Sequence, residues 1–113
     1  MSPSDDRGPE GPIEVVHGVD EDRIVVRADL DLSLAETLRI RARDVLAAGG
    51  GRRLTIDLTG TPFLDSSGVQ ALVRTADAAD PAGFRVIAGG QPYQVLELTE
   101  VLQLLGVERA DRA

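Results

Sequence analysis

The chain has 113 residues and a mass of 12.0 kDa, the size of one compact domain with one ordinary core. Hydrophobic residues at 42% and charged residues at 27% are globular values, which excludes wholesale disorder. A net charge of −7 repels a phosphate backbone, and the lack of cysteine excludes disulfides, thiolate chemistry and cysteine-based zinc sites.

Residues 1–12, MSPSDDRGPEGP, carry proline, glycine and acids without apolar periodicity. They read as a flexible tail, and they lack the basic-then-apolar order of a secretory signal. A single domain is expected over 13–113. It opens with a strand at Ile13 to His17 and an acidic turn from Gly18 to Asp22. Ile24, Val26 and Ala28 then alternate with Val25 and Arg27, a second strand that pairs most simply with the first as a hairpin. The loop Asp29 to Leu32 leads to Ser33 and Glu36 in S-x-x-E spacing, a capping box for a first helix. Leu34, Leu38, Ala42, Val45 and Leu46 recur at helical spacing, and Gly49, Gly50 and Gly51 stop the helix.

Arg53 to Leu58 alternates and reads as a central strand. A second helix follows the turn, with Val69, Leu72, Val73, Ala76 and Ala79 as its apolar stripe and Pro81 and Gly83 at its end. Phe84 to Ala88 is a further strand, and Pro92 suits the first turn of a third helix. Val95, Leu98, Leu102 and Leu105 either extend that helix or follow a break near Thr99 into a short last element. The alternation of strands and helices predicts an α/β fold: a small mixed sheet of about four to five strands with helices packed on it. Sites in such folds lie where loops leave the C-terminal ends of strands, here Asp29 to Leu32 and Thr59 to Gly68.

The second of these loops holds Asp65, Ser66, Ser67 and Gly68. Ser67 and Gln70 stand in S-x-x-Q spacing, so Ser67 is one candidate N-cap, with Ser66 just outside the helix; Asp65 is the other. Either choice puts a serine hydroxyl at a helix N-terminus, where a phosphate is locally tolerated and adds roughly −1.5 to −2 charges beside Asp65. Taken alone, such residues are ordinary helix caps.

Phe63-Leu64-Asp65-Ser66-Ser67-Gly68-Val69, placed after the strand Leu54 to Leu58, resembles the signature of STAS domains, specifically the bacterial anti-sigma factor antagonists. Ala28-Asp29-Leu30-Asp31 with Ala35 to Leu38 resembles that family's Gly-Glu-Leu-Asp loop and first helix, and Gln91 to Val95 resembles the start of its third helix. The likeness covers Ile13 to Val107 in element order. It departs at Ala28 and Asp29, which replace the usual Gly and Glu, and at Gln70, where a small residue is common. The chain reaches Ala113 soon after Val107, which leaves little or no room for the family's final helix.

The resemblance implies a cytoplasmic regulator of transcription acting by partner switching, as in stress responses. The unphosphorylated antagonist binds an anti-sigma factor that is itself a serine kinase, and so frees the sigma factor. Phosphorylation of the first serine of the motif, here Ser66, ends the binding, and a serine phosphatase resets it. Carried over residue by residue, the partner surface is Asp31, Asp65, Ser66, Ser67 and Gly68, with Asp31 near the phosphoacceptor. The implied protein has no catalytic residues, metal or cofactor and no direct nucleic-acid contact.

Rival readings are weaker. A serine nucleophile needs a base, and His17, the one histidine, falls on an early edge strand. Asp29 with Asp31, or Asp57 with Asp65, read as ordinary exposed acids rather than a catalytic pair. All 12 basic residues are arginine, scattered apart from Arg39, Arg41 and Arg43 and the pair Arg52 and Arg53, and so make no nucleic-acid patch. No apolar run approaches the roughly 20 residues of a membrane span. The alternative within the same family is a non-switching STAS scaffold or an accessory subunit, for example of a lipid transporter.

Overall fold

Five strands and three helices organise residues 11–80 and 83–110, the part of the chain that the computed structural model describes. Strands β1 (Ile13–His17) and β2 (Glu21–Val26) form the expected antiparallel hairpin, with Ile13 opposite Val26 and His17 opposite Asp22. There follow α1 (Leu32–Ala48), β3 (Arg53–Asp57), α2 (Ser66–Ala78), β4 (Phe84–Ala88), α3 (Gly90–Leu98) and β5 (Val107–Arg109). The sheet order is β1-β2-β3-β4-β5, and every pairing after the hairpin is parallel. The order never reverses, so right-handed crossovers carry all three helices to one face of the sheet. This is the predicted mixed α/β architecture, with β3 central as its alternating sequence implied. The expectations for the tail up to residue 10 and for Pro81 lie outside the described residues.

Strand periodicity assigns the two faces. Ile24, Ile56 and Val86 lie abreast in the register, and Val26, Leu54, Phe84 and Ala88 share their face. These side chains form one buried core with Leu38, Ala42 and Val45 of α1, Leu72 of α2 and Leu96 of α3. On the opposite face Arg23, Thr55 and Arg85 lie abreast and build a polar ladder. Arg85 donates from Nε to Thr55 Oγ1 (3.1 Å), whose hydroxyl donates to Glu21 Oε1 (3.1 Å). Arg85 also reaches Glu108 at 2.7 Å, and Arg23 reaches Asp57 at 3.1 Å. Four strands are thereby tied edge to edge without a second layer of helices.

The ladder explains the first departure from expectation. Glu21 and Asp22 open β2 rather than close the turn, because both find cations. Asp22 is buried, paired with His17 Nδ1 at 3.0 Å and with Arg52 Nε at 3.2 Å. Only Gly18, Val19 and Asp20 are left to turn the hairpin. At its other end β2 stops at Val26 and does not reach Ala28, because the chain turns toward α1.

In α2 the buried residues are Gly68, Ala71, Leu72 and Thr75, while Val69, Val73, Ala76 and Ala79 are half-buried. The most buried edge is thus rotated from the predicted stripe toward small residues, as a close helix–helix seam requires; Thr75 satisfies its hydroxyl on Ala71 O at 2.9 Å. The third helix breaks at Thr99, the second of the two predicted courses. Leu98 consequently stands exposed instead of joining the core, whereas Leu105 is buried beneath the turn that leads into β5.

Candidate functional site

The two loops singled out by their position after strands are joined to each other. Leu30 and Leu64 form an isolated parallel bridge, Leu30 N donating to Phe63 O at 2.8 Å and Asp65 N to Leu30 O at 3.4 Å. Both leucines are buried in the core, so their apolar side chains anchor the loops from below. An aspartate follows each one and starts a helix. Asp31 caps α1, accepting from Leu34 N at 3.2 Å, and Asp65 caps α2, accepting from Gly68 N at 3.1 Å. Their backbones match closely, φ −106° and ψ −169° at Asp31 against −110° and −174° at Asp65. The site is a pair of equivalent helix starts, Leu30-Asp31-Leu32-Ser33 and Leu64-Asp65-Ser66-Ser67, held side by side.

This geometry corrects the capping assignments. Ser33 is not the N-cap of α1 but its second residue, and its hydroxyl donates to Asp31 Oδ1 at 3.0 Å. Of the two candidates at α2, Asp65 is the cap and Ser67 the second helical residue. A carboxylate accepts a backbone N–H more strongly than a hydroxyl does, and each aspartate follows directly on an anchored leucine. Both S-x-x-E/Q patterns therefore placed the helix start two residues late. Ser66 is the first residue of α2 rather than a residue outside it, and it is exposed.

Gly68 is buried, and its place is structural. A Cβ there would lie 2.4 Å from Leu64 Cδ1 and 2.6 Å from Leu30 O. Only glycine lets the first turn of α2 settle on the bridge that unites the loops. The residues before the bridge are fixed as well: Thr61 Oγ1 donates to Val26 O at 2.9 Å, and Asp57 takes the Thr59 N–H at 2.9 Å.

A residue that sequence reasoning passed over completes the site. Gln91, in the first turn of α3, accepts from Leu64 N at 2.8 Å and donates to Leu64 O at 3.1 Å. It copies the pairing of a neighbouring strand and fixes the backbone next to Asp65. The available signal is Gln91 before Pro92 after a strand end, a family likeness that by itself names no role.

The surroundings of Ser66 combine acids with apolar surface. Leu32, the first residue of α1, is 74% exposed and Phe63 45% exposed, and both sit next to the bridged segments. Hydrogen bonds from Leu34 N–H and then from the Ser33 hydroxyl hold Asp31 below its ordinary carboxylate pKa, so it is ionised at neutral pH. His17 lies at the other end of the sheet, opposite Asp22 in the hairpin, and Asp57 is engaged by Thr59 and Arg23. Neither stands as a base beside Ser66. Among the described residues no group of three His, Cys, Asp or Glu is arranged to hold a metal, and no helix is long and apolar enough to cross a membrane.

Comparison with known proteins identifies the family and the fold. A family profile described as "Mlab, STAS domain" matches residues 13–109. Among solved structures, an anti-sigma factor antagonist from Mycobacterium paratuberculosis superposes with a TM-score of 0.76 at 24% identity, over 84% of this chain and 82% of that one. The anti-sigma factor antagonist SpoIIAA, in its unphosphorylated form, gives a TM-score of 0.60 at 19% identity, over 89% of both chains. The murine anion transporter Slc26a9 gives 0.64 at 17% identity, over 87% of this chain but 17% of that one.

Proposed function

This chain belongs to the STAS-domain family, and from that premise we propose that it is an anti-sigma factor antagonist switched by phosphorylation of Ser66. The observation that carries the reading is the exposed Ser66 at the first position of α2, with its loop bridged to the one that holds Asp31. In the neutral state the hydroxyl, the exposed Leu32 and Phe63 and the ionised Asp31 offer one mixed apolar and acidic surface. The partner is an anti-sigma factor with serine-kinase activity, and Asp31, Asp65, Ser66 and Ser67 make the contact. Gly68 contributes by letting α2 approach. A serine phosphatase restores the binding form, and the setting is the cytoplasm.

The switch needs no change of fold. A phosphate on Ser66 is tolerated by the free N–H groups and positive dipole end of α2. It brings roughly −1.5 to −2 charges to a surface that already carries two carboxylates and was shaped against a hydroxyl. A tenfold loss of affinity takes only about 1.4 kcal/mol, within reach of one misplaced charge at an interface.

The likeness to the Slc26a9 structure favours a second reading, in which the domain is a non-switching STAS module that serves a transporter. Mass spectrometry of the protein from its native host, across growth phases and stress, separates the two. Cleavage after Arg53 and Arg74 releases a peptide in which Ser66 and Ser67 are the only serines. A condition-dependent phosphate on Ser66 is expected; its absence under every condition selects the second reading.

A further inference from the structure

The parallel helices α1 and α2 meet along a seam whose outer side is a furrow. Its first half, about 320 Å³, opens at Leu32 and Ser67, and its second half, about 340 Å³, runs on to Leu46 and Ala78. Arg39 and Arg74 line both halves, so the two adjoin end to end along the seam. From Leu32 to Leu46 it follows α1 for roughly 20 Å. The small buried residues Ala35, Ala71 and Thr75 line it and keep it smooth, while its charged walls carry Arg39, Arg43 and Arg74 against Glu36 and Asp77.

These cations are incompletely neutralised. Arg39 bonds Glu36 at 2.8 Å, but Arg43 reaches only Asp44 at 3.6 Å, and Arg74 has no ion pair among the described residues. A furrow with an excess of arginine stands out on a chain of net charge −7. Guanidinium forks suit carboxylates, and three of them, Arg39, Arg43 and Arg74, converge on this furrow. The overall charge also disfavours a nucleic acid as the occupant.

We propose that this furrow seats an acidic segment of a partner protein, its carboxylates paired with Arg39, Arg43 and Arg74 and an apolar side chain resting on Leu32. The proposal rests on the reading of the Ser66 loop as a partner surface, because the furrow opens at Ser67 and lengthens that contact. It names a second patch of opposite charge on the same partner: one that faces the acids Asp31 and Asp65 must also bring acids of its own to the arginines.

Two measurements test it. In the first, an amphipathic peptide with glutamate and leucine at helical spacing is titrated into isotope-labelled protein, beside the same peptide with glutamine for glutamate. The expected NMR shifts fall at Arg39, Arg43, Arg74 and Leu32, weaken with salt, and are absent with the neutral peptide and in the Arg39→Gln/Arg74→Gln variant. Shifts that map elsewhere, or that the neutral peptide reproduces, overturn the proposal. In the second, Arg39→Glu/Arg74→Glu is expected to weaken binding to the anti-sigma factor about tenfold and to remove part of its salt dependence. Unchanged affinity overturns the seat while the Ser66 reading stands. Furrow shifts in a chain that binds no anti-sigma factor overturn that reading and support the seat.

Discussion

Gln91 holds both polar backbone atoms of Leu64, its Oε1 2.8 Å from the nitrogen and its Nε2 3.1 Å from the carbonyl oxygen. Through this clamp α3 fixes the residue that precedes the cap of α2. Gln91→Leu leaves a part-buried donor and acceptor unpaired and is expected to lower stability by about 1–3 kcal/mol. Gln91→Glu keeps the acceptor and loses the donor, so it is expected to fall between. Urea unfolding measures the cost, and amide hydrogen exchange across Leu64 to Gly68 locates it. Unaltered exchange there would show that the loop does not depend on the clamp.

Gly68→Ala sets two effects against each other. In an exposed helix the change gains about 1 kcal/mol from propensity. Here the new methyl meets Leu64 Cδ1 at 2.4 Å and the Leu30 carbonyl at 2.6 Å, and overpacking of that kind costs about 1–3 kcal/mol. The backbone oxygen has little freedom to yield, so a net loss is expected in thermal unfolding. A gain in Tm would mean that α2 can lift from the bridge.

Ser66→Ala is expected to bind the anti-sigma factor constitutively, and Ser66→Asp to bind at least about tenfold more weakly. Asp31→Asn isolates charge from structure, because asparagine caps a helix about as well as aspartate. It should slow phosphorylation of Ser66 by the partner kinase while leaving the unfolding midpoint nearly unchanged. Calorimetric titration and a phosphorylation time course read these outcomes. Equal affinity of the two Ser66 variants is incompatible with the switch.

Acid should weaken the fold through Asp22 in particular. Burial opposes its ionisation, but hydrogen bonds from His17 and Arg52 outweigh that and hold its pKa below the ordinary value. At Asp57 burial is likewise outweighed, by Thr59 and Arg23. A carboxyl depressed in the folded state contributes stability that is complete above its unfolded pKa, about 3.9, and is lost as pH falls through the lower folded value. Tm is therefore expected to be flat near neutrality and to drop below about pH 4. Asp22→Asn should lower Tm at pH 7 and flatten the acid limb; an acid limb as steep as before would acquit Asp22.

The strands were legible because alternation is a local signal: β1, β3 and β4 lie where it puts them, and only β2 is shifted, starting at Glu21 and ending at Val26. The two bridged loops were legible by position, at strand ends, yet their details were not. Two boxed serines suggested helix starts that Leu30 and Leu64 overrule, since a cap is placed by the buried residue in front of it. Asp22 read as turn because its partners His17 and Arg52 lie elsewhere in the sequence. Gln91 was hidden for the same reason: its value lies in a backbone segment 27 residues away.

The polar ladder on the open face of the sheet has a bearing on traffic at the surface. Its arginines and carboxylates already satisfy one another, so any molecule that settled there would have to strip paired ions of water and offer nothing better in return. The ladder itself is therefore a poor landing site, and apolar grip on that face comes from its edge strand, where Val16 stands 43% exposed opposite Arg23.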